Sequence, residues 1–198
     1  MENRKINRIV ITGGGTGGHL IPAFAIADAL KNKDKNLDIR FIGSKKGIES
    51  KLYKSRDEKH YLINIQGIKR GLTFSNIIQN IFIFPAICFL SIIDVMKIYK
   101  NFKPDIVIGT GGYSSAIPLF IARLKNIKII IQEQNAIPGL VNKLFLKKAY
   151  KVCFGFKPMQ TADNFINTGN PTLLSRKSDV QKYGISYFEE SKSREKLS

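Results

Sequence analysis

Tryptophan is missing from this chain of 198 residues, and histidine, cysteine and methionine number only two, two and three. The cysteines, Cys88 in an apolar run and Cys153 in a predicted strand, show neither a disulfide framework nor metal-ligand spacing. A stapled secreted fold and a zinc module are thereby excluded, a reducing cytosol fits, and no metal or other cofactor is expected. Long apolar runs are lacking too. The densest, Ile81 to Ile93, contains Pro85 and Ser91 and falls short of the roughly 18 to 20 residues that a membrane-crossing helix needs. The basic start resembles a signal n-region, but Ile9-Val10-Ile11 is too short an apolar stretch before the glycines begin, so no export is implied. Acidic side chains are the last shortage, 15 against 32 Lys and Arg, for a net charge of +17. The basic excess is mostly dispersed Lys, without an Arg-rich cluster or interleaved stacking aromatics, which argues against nucleic acid and for an anionic membrane surface.

Glycine, by contrast, is concentrated. Five of the six residues from Gly13 to Gly18 are glycine, placed between a short apolar run, Asn7 to Thr12, and a predicted helix over 18–32. Such a turn permits positive φ and brings a ligand close to bare backbone, and the free N–H groups and dipole of the helix's first turn favour an anion there. Gly13, Gly15 and Gly18 also satisfy G-x-G-x-x-G, whose NAD form needs an acid closing the second strand. The second predicted strand, Leu37 to Ile42, ends in Gly43-Ser44, and its one acid, Asp38, is at the wrong end. A phosphorylated ligand other than NAD is expected. His19 stands in the helix's first turn, where the dipole disfavours imidazolium, so it is a candidate general base as well as a candidate packing or capping residue. His60 follows Asp57-Glu58-Lys59 and reads as solvated.

Strand and helix patterns then alternate: strand 105–109, Gly-rich turn 109–113, helix 114–125, strand 128–131, polar 132–135, helix 139–148, strand 150–154. Strands followed by crossover helices make a Rossmann-like parallel sheet of the α/β class, and all three strand-following loops open on its carboxyl edge. The segment from Gly67 to Lys103 differs. Pro85 splits it into a short first helix and a longer one from about Ala86 to Asn101, the latter the better core element. The first carries Leu72, Phe74, Ile77, Ile78, Ile81 and Phe82 behind the basic pair Lys69 and Arg70, a composition compatible with insertion at the headgroup boundary or with burial in the core.

Gly14-Gly15-Thr16-Gly17-Gly18-His19-Leu20-Ile21-Pro22, Gly109-Thr110-Gly111-Gly112-Tyr113, Glu133-Gln134-Asn135 with Pro138-Gly139 and Asn142-Lys143, and Gly169-Asn170-Pro171 follow one another in a recognisable order and spacing. Over residues 6–171 the chain resembles the MurG family, peptidoglycan glycosyltransferases that move N-acetylglucosamine from UDP-GlcNAc to lipid I, undecaprenyl-pyrophosphoryl MurNAc-pentapeptide, giving lipid II. The resemblance implies the amino-terminal domain of a GT-B fold, acting by inversion without a metal at the cytoplasmic face of the inner membrane. It implies His19 as the base acting on the C4 hydroxyl of the acceptor sugar. Thr16, Gly17, Gly18 and Asn135 would contact the donor. Gly14, Gly15, Gly111, Gly112 and Tyr113 would line the acceptor's diphosphate, and the Leu72 to Phe84 stretch would be a membrane patch. Three departures stand out. Gln132 replaces a histidine, Leu173 replaces a donor-contacting arginine that only Arg176 from another register could supply, and 172–198 is a charged tail or linker start rather than a second domain. The chain therefore reads as a fragment of a full transferase, as a natural acceptor-side half that works with a separate donor-binding half, or as a non-catalytic membrane-associated subunit or remnant.

Overall fold

In a computed structural model, residues 6–67, 73–158 and 161–171 are described. Among the described residues seven parallel strands form one sheet: β1 (Arg8–Gly13), β2 (Asp38–Ser44), β3 (His60–Ile63), β4 (Ile106–Gly111), β5 (Lys128–Glu133), β6 (Lys151–Phe154) and β7 (Phe165–Asn167). Their order is β3-β2-β1-β4-β5-β6-β7. The chain winds outward in one direction from β1 and in the other from β4, so the carboxyl ends of these two central strands flank the crevice where open α/β sheets bind ligands.

The pleat divides the core. Ile9 and Ile11 of β1 face α1 (Gly17–Lys33), packing with Leu20, Ala23, Phe24 and Ala27. Val10 between them points the other way, into a cluster shared with α4 (Phe84–Phe102), α5 (Ala116–Leu124) and α6 (Leu140–Phe145). Helix α4 buries Ser91, Val95, Tyr99 and Phe102 along one side, and the Tyr99 hydroxyl donates to the Pro118 carbonyl of α5 at 3.1 Å. Ahead of it lie α3 (Phe74–Ile78) and a π-turn, Gln79–Ile83. Pro85 has no N–H for a carbonyl four residues back, and the tolerated place for it is the first turn of α4, where it sits.

The expected alternation is present, with physical corrections. Strand β5 runs through Gln132 and Glu133 rather than stopping at Ile131, and both polar side chains are buried. Helix α6 covers only Leu140–Phe145. His60, expected in a solvated connection, opens the unanticipated edge strand β3 opposite Phe41 and lies half-buried, its ring centroid 5.6 Å from that of buried Tyr53. The aromatic contact outweighs the charged residues that precede it. A short helix, α2 (Glu49–Leu52), and strand β7 are likewise additional to the predicted elements.

Candidate functional site

Strands β1 and β4 pair in register as far as Thr12 and Gly109, then shift so that Gly13 lies opposite Gly111. The shift folds two glycine turns onto each other. Gly112 has φ +80, and a Cβ there would strike the Gly14 carbonyl oxygen and stand 3.1 Å from His19 Cδ2. Gly15, at φ +85, lies against the Tyr113 ring, 2.7 Å from its Cε1 for an added Cβ. Gly112→Ala is accordingly expected to cost about 2 kcal/mol through left-handed strain and displacement of the facing turn, read as a lowered Tm; an unchanged Tm would mean the two turns do not interlock.

The turns do not offer all their N–H groups to a ligand. Gly14 donates to the Gly111 carbonyl at 3.3 Å and Gly15 to Glu49 Oε2 at 2.9 Å, so both serve close approach rather than hydrogen bonding. Glu49 is fully buried, and its other oxygen accepts from the Ser44 N–H at 2.8 Å. A Cβ on Gly43 would press into its Cγ at 2.6 Å, and one on Gly14 would meet its carboxyl carbon at 2.5 Å. This carboxylate holds the first glycine turn from below, and sequence reasoning missed it. The signal was an acid flanked by close-approach glycines at 43 and 47. Thr16 and Gly18 are exposed at the amino end of α1, Gly17 is half-exposed, and first-turn N–H groups of a helix have no intrahelical acceptor.

His19, in that first turn, is half-buried and tied to β4 at both ends. Its Nδ1 lies 3.0 Å from the Thr110 carbonyl oxygen, and its own carbonyl accepts from Thr110 Oγ1 at 2.7 Å. A carbonyl only accepts, so Nδ1 carries the proton and Nε2 keeps its lone pair. Burial pushes the imidazole below its ordinary pKa of 6.5, outweighing the Thr110 bond and the charge of Glu133, which both raise it. The ring is therefore neutral near pH 7, as a base must be. Burial is the largest cause, where sequence reasoning had the helix dipole alone.

Strand β5 supplies the third wall. Glu133 is fully buried and accepts four hydrogen bonds. One oxygen takes Asn135 N at 2.8 Å and Asn135 Nδ2 at 3.0 Å; the other takes Gly139 N at 2.9 Å and Asn142 Nδ2 at 2.8 Å. Because the carboxylate can only accept, it forces the Asn135 amide nitrogen inward and leaves Oδ1 on this exposed residue as an acceptor for a hydroxyl or amide. The Gln134 amide lies against His19 Nδ1. Gln132 is buried beside them, its carbonyl accepting from Asn142 Nδ2 at 3.3 Å. Asn170 also reaches this edge, its carboxamide 3.1 Å from where a Cβ on Gly155 would lie. Thr110, Glu133, Gln134 and Asn142 thus join the residues anticipated from sequence. For Thr110, Glu133 and Gln134 the signal was position at the carboxyl ends of β4 and β5, hidden for the last two by reading 132–135 as a loop; Asn142 comes from α6.

On the far side from α1, exposed apolar side chains collect. Ile78, Ile81 and Ile83 are exposed before α4, Phe89, Leu90 and Met96 lie on its outer side, and Phe120 and Leu124 on α5, with Lys97 and Lys100 nearby in sequence. The longer helix is thus a core element on one side only. Lys69, Arg70 and Leu72 and the side chains of Phe74, Ile77 and Phe82 lie outside the described residues, as do Leu173 and Arg176. No helix among the described residues is long and apolar enough to cross a membrane.

The sequence pattern of the glycosyltransferase family 28 N-terminal domain matches residues 9–154, which contain every wall of this crevice. The chain belongs to glycosyltransferase family 28. A Clostridioides difficile relative, named as a UDP-N-acetylglucosamine–N-acetylmuramyl-(pentapeptide) pyrophosphoryl-undecaprenol N-acetylglucosamine transferase, is 40% identical over 185 residues, 88% of this chain and 44% of the relative. One of the same name from Christiangramia forsetii is 38% identical over 93% of this chain and 50% of its own length. The crystal structure of Acinetobacter baumannii MurG superposes with a TM-score of 0.69 at 27% identity, covering 84% of this chain and 46% of that one. The family 28 chain therefore spans about half the length of the curated relatives it matches. Its fold is the Rossmann-like amino-terminal domain of a GT-B glycosyltransferase.

Proposed function

We propose that this family 28 domain is the acceptor-side half of a MurG-type N-acetylglucosaminyltransferase that acts at the cytoplasmic face of the inner membrane. The observation that carries the reading is the neutral His19, with Nδ1 spent on the Thr110 carbonyl and Nε2 without a partner among the described residues, at the mouth of two interlocked glycine turns. In the reaction Nε2 takes the proton of the MurNAc C4 hydroxyl of lipid I, and the oxygen attacks the anomeric carbon of N-acetylglucosamine. The bond from that carbon to the diphosphate breaks, its electron pair leaves with UDP, and the anomeric configuration inverts, with no metal ion required by the resemblance. Gly111, Gly112 and Tyr113, with Gly14 and Gly15 as the close-approach wall, face the acceptor's diphosphate. Thr16, Gly17, Gly18 and the Asn135 amide oxygen meet the donor sugar, and a carboxyl-terminal half holds the rest of UDP-GlcNAc. On this reading residues 1–171 form the domain, and 172–198 are a charged tail or the start of the link to that half.

Two measurements bear on this reading. A water-soluble lipid I analogue added to the chain is expected to shift the amide resonances of His19 and Gly111 to Tyr113 at concentrations where UDP-GlcNAc moves only those of Thr16 to Gly18 and Asn135. Acceptor binding elsewhere on the domain would sink the assignment. The apolar surface around Ile81, 58% exposed, is the membrane contact. Burying one isoleucine side chain is worth roughly 1.5 to 3 kcal/mol, so Ile81→Glu is expected to weaken binding to anionic vesicles about tenfold or more. Equal partitioning of the two proteins in a sedimentation assay would place the contact elsewhere.

A further inference from the structure

Gln134 is 7% exposed, its amide nitrogen lies against His19 Nδ1, and its amide oxygen is buried with no hydrogen-bond partner. That arrangement conflicts with the other bond of the same ring nitrogen. Nδ1 lies 3.0 Å from the Thr110 carbonyl oxygen and must carry a proton to bond it, so an amide N–H facing Nδ1 sets donor against donor. The two ends of a carboxamide have the same shape. A half-turn of the Gln134 amide brings Oε1 to the Nδ1 proton in a three-centre bond shared with Thr110, replaces the donor–donor clash with a donor–acceptor pair, and puts the amide nitrogen where the unpartnered oxygen stood.

We infer that Gln134 is a positioning residue for His19: its Oε1 and the Thr110 carbonyl together accept from Nδ1–H, fix the ring's rotation and tautomer, and leave Nε2 as the lone-pair nitrogen. Gln134 is buried and acts through the imidazole. Among the described residues the charged group that reaches the ring is Glu133 on β5; β4 and the turn after it bring Thr110, Gly111 and Gly112. The role is neutral by design of the residue type. An amide oxygen orients the ring without adding the anion that a carboxylate would, so the imidazole stays unprotonated at neutral pH.

This inference rests on reading His19 as the base, yet its test requires no substrate. The chain has two histidines, His19 and His60, so a 15N-labelled sample shows two imidazoles, assigned by a His60→Gln variant. Above pH 7 the long-range proton–nitrogen spectrum is expected to show His19 with a protonated Nδ1 and a bare Nε2. In Gln134→Glu the same tautomer is expected, and the His19 titration moves up by about one pH unit or more, because an anion now faces Nδ1–H. In Gln134→Leu the Nδ1–H form is expected to fall to a mixture of tautomers. An unaltered His60 signal reports that each variant is folded. A bare Nδ1 with a protonated Nε2 in the unsubstituted chain overturns the inference, and so does a Gln134→Glu titration that does not move. If the tautomer holds but His19→Ala leaves transfer intact, the functional reading fails and the positioning contact stands. The reverse pattern fails the contact alone.

Discussion

Replacing His19 by alanine is expected to lower N-acetylglucosamine transfer to a lipid I analogue by about 10² to 10⁴-fold in kcat when the chain is paired with a family donor-binding domain. The magnitude follows from losing a positioned proton acceptor while the glycine turns and the Glu133 loop remain in place. The sign with pH is also fixed. Only the unprotonated ring can act, and burial sets its pKa in the folded chain below 6.5, so the acid limb of the rate profile lies below pH 6.5. In His19→Ala that limb disappears. The same shift acts on stability: because the unfolded ring binds its proton first, His19 contributes fully above pH 6.5 and its contribution is lost as pH falls from there through the folded pKa. Near-normal turnover in His19→Ala, or a limb that persists, would assign the proton transfer to another group.

Glu133→Ala is expected to be the most damaging substitution for the fold of the crevice. Its carboxylate is fully buried and is the acceptor for two backbone N–H groups and for the amides of Asn135 and Asn142. Truncation leaves these donors facing one another, and a buried unpaired donor costs about 1 to 3 kcal/mol. With Asn135 exposed and able to reach water, the loss is about 4 kcal/mol, a fall in Tm of roughly 8 to 16 °C for a chain of this size. Glu133→Gln presents an amide nitrogen to the same donors and recovers only part of it. A Tm within two or three degrees of the parent in both variants would show that the 133–142 segment is not organised by this side chain.

How much of this was legible in the sequence depends on how far each interaction reaches. The β1–α1 junction could be read because its parts are adjacent: an apolar run, a glycine cluster and a helical pattern with His19 in its first turn. The convergence of three loops could be read because parallel topology forces it. Glu49 could not, since it sits 34 residues from the Gly15 N–H that it accepts. Gln132 and Glu133 look like loop because both are polar, but in a buried strand a polar side chain persists where partners satisfy it, as those of Glu133 do from the turn and helix that follow; the Gln132 amide nitrogen is buried without a partner among the described residues. The outer side of α4 was hidden for the opposite reason. Apolar residues occur all around that helix, so periodicity did not separate the side that packs on the sheet from the side that carries Phe89, Leu90 and Met96. His60 shows how a single ring contact, with Tyr53, overrides three charged neighbours.

The measurement that reaches the central claim most directly is transfer of labelled N-acetylglucosamine from UDP-GlcNAc to a lipid I analogue, by the chain alone and by the chain mixed with a separately expressed donor-binding domain of the family. The account predicts product only in the mixture, at a rate that His19→Ala lowers by about 10²- to 10⁴-fold. Product from the chain alone would contradict the assignment of an acceptor-side half, and no product in the mixture, from a chain shown to be folded, would contradict the assignment of a transferase.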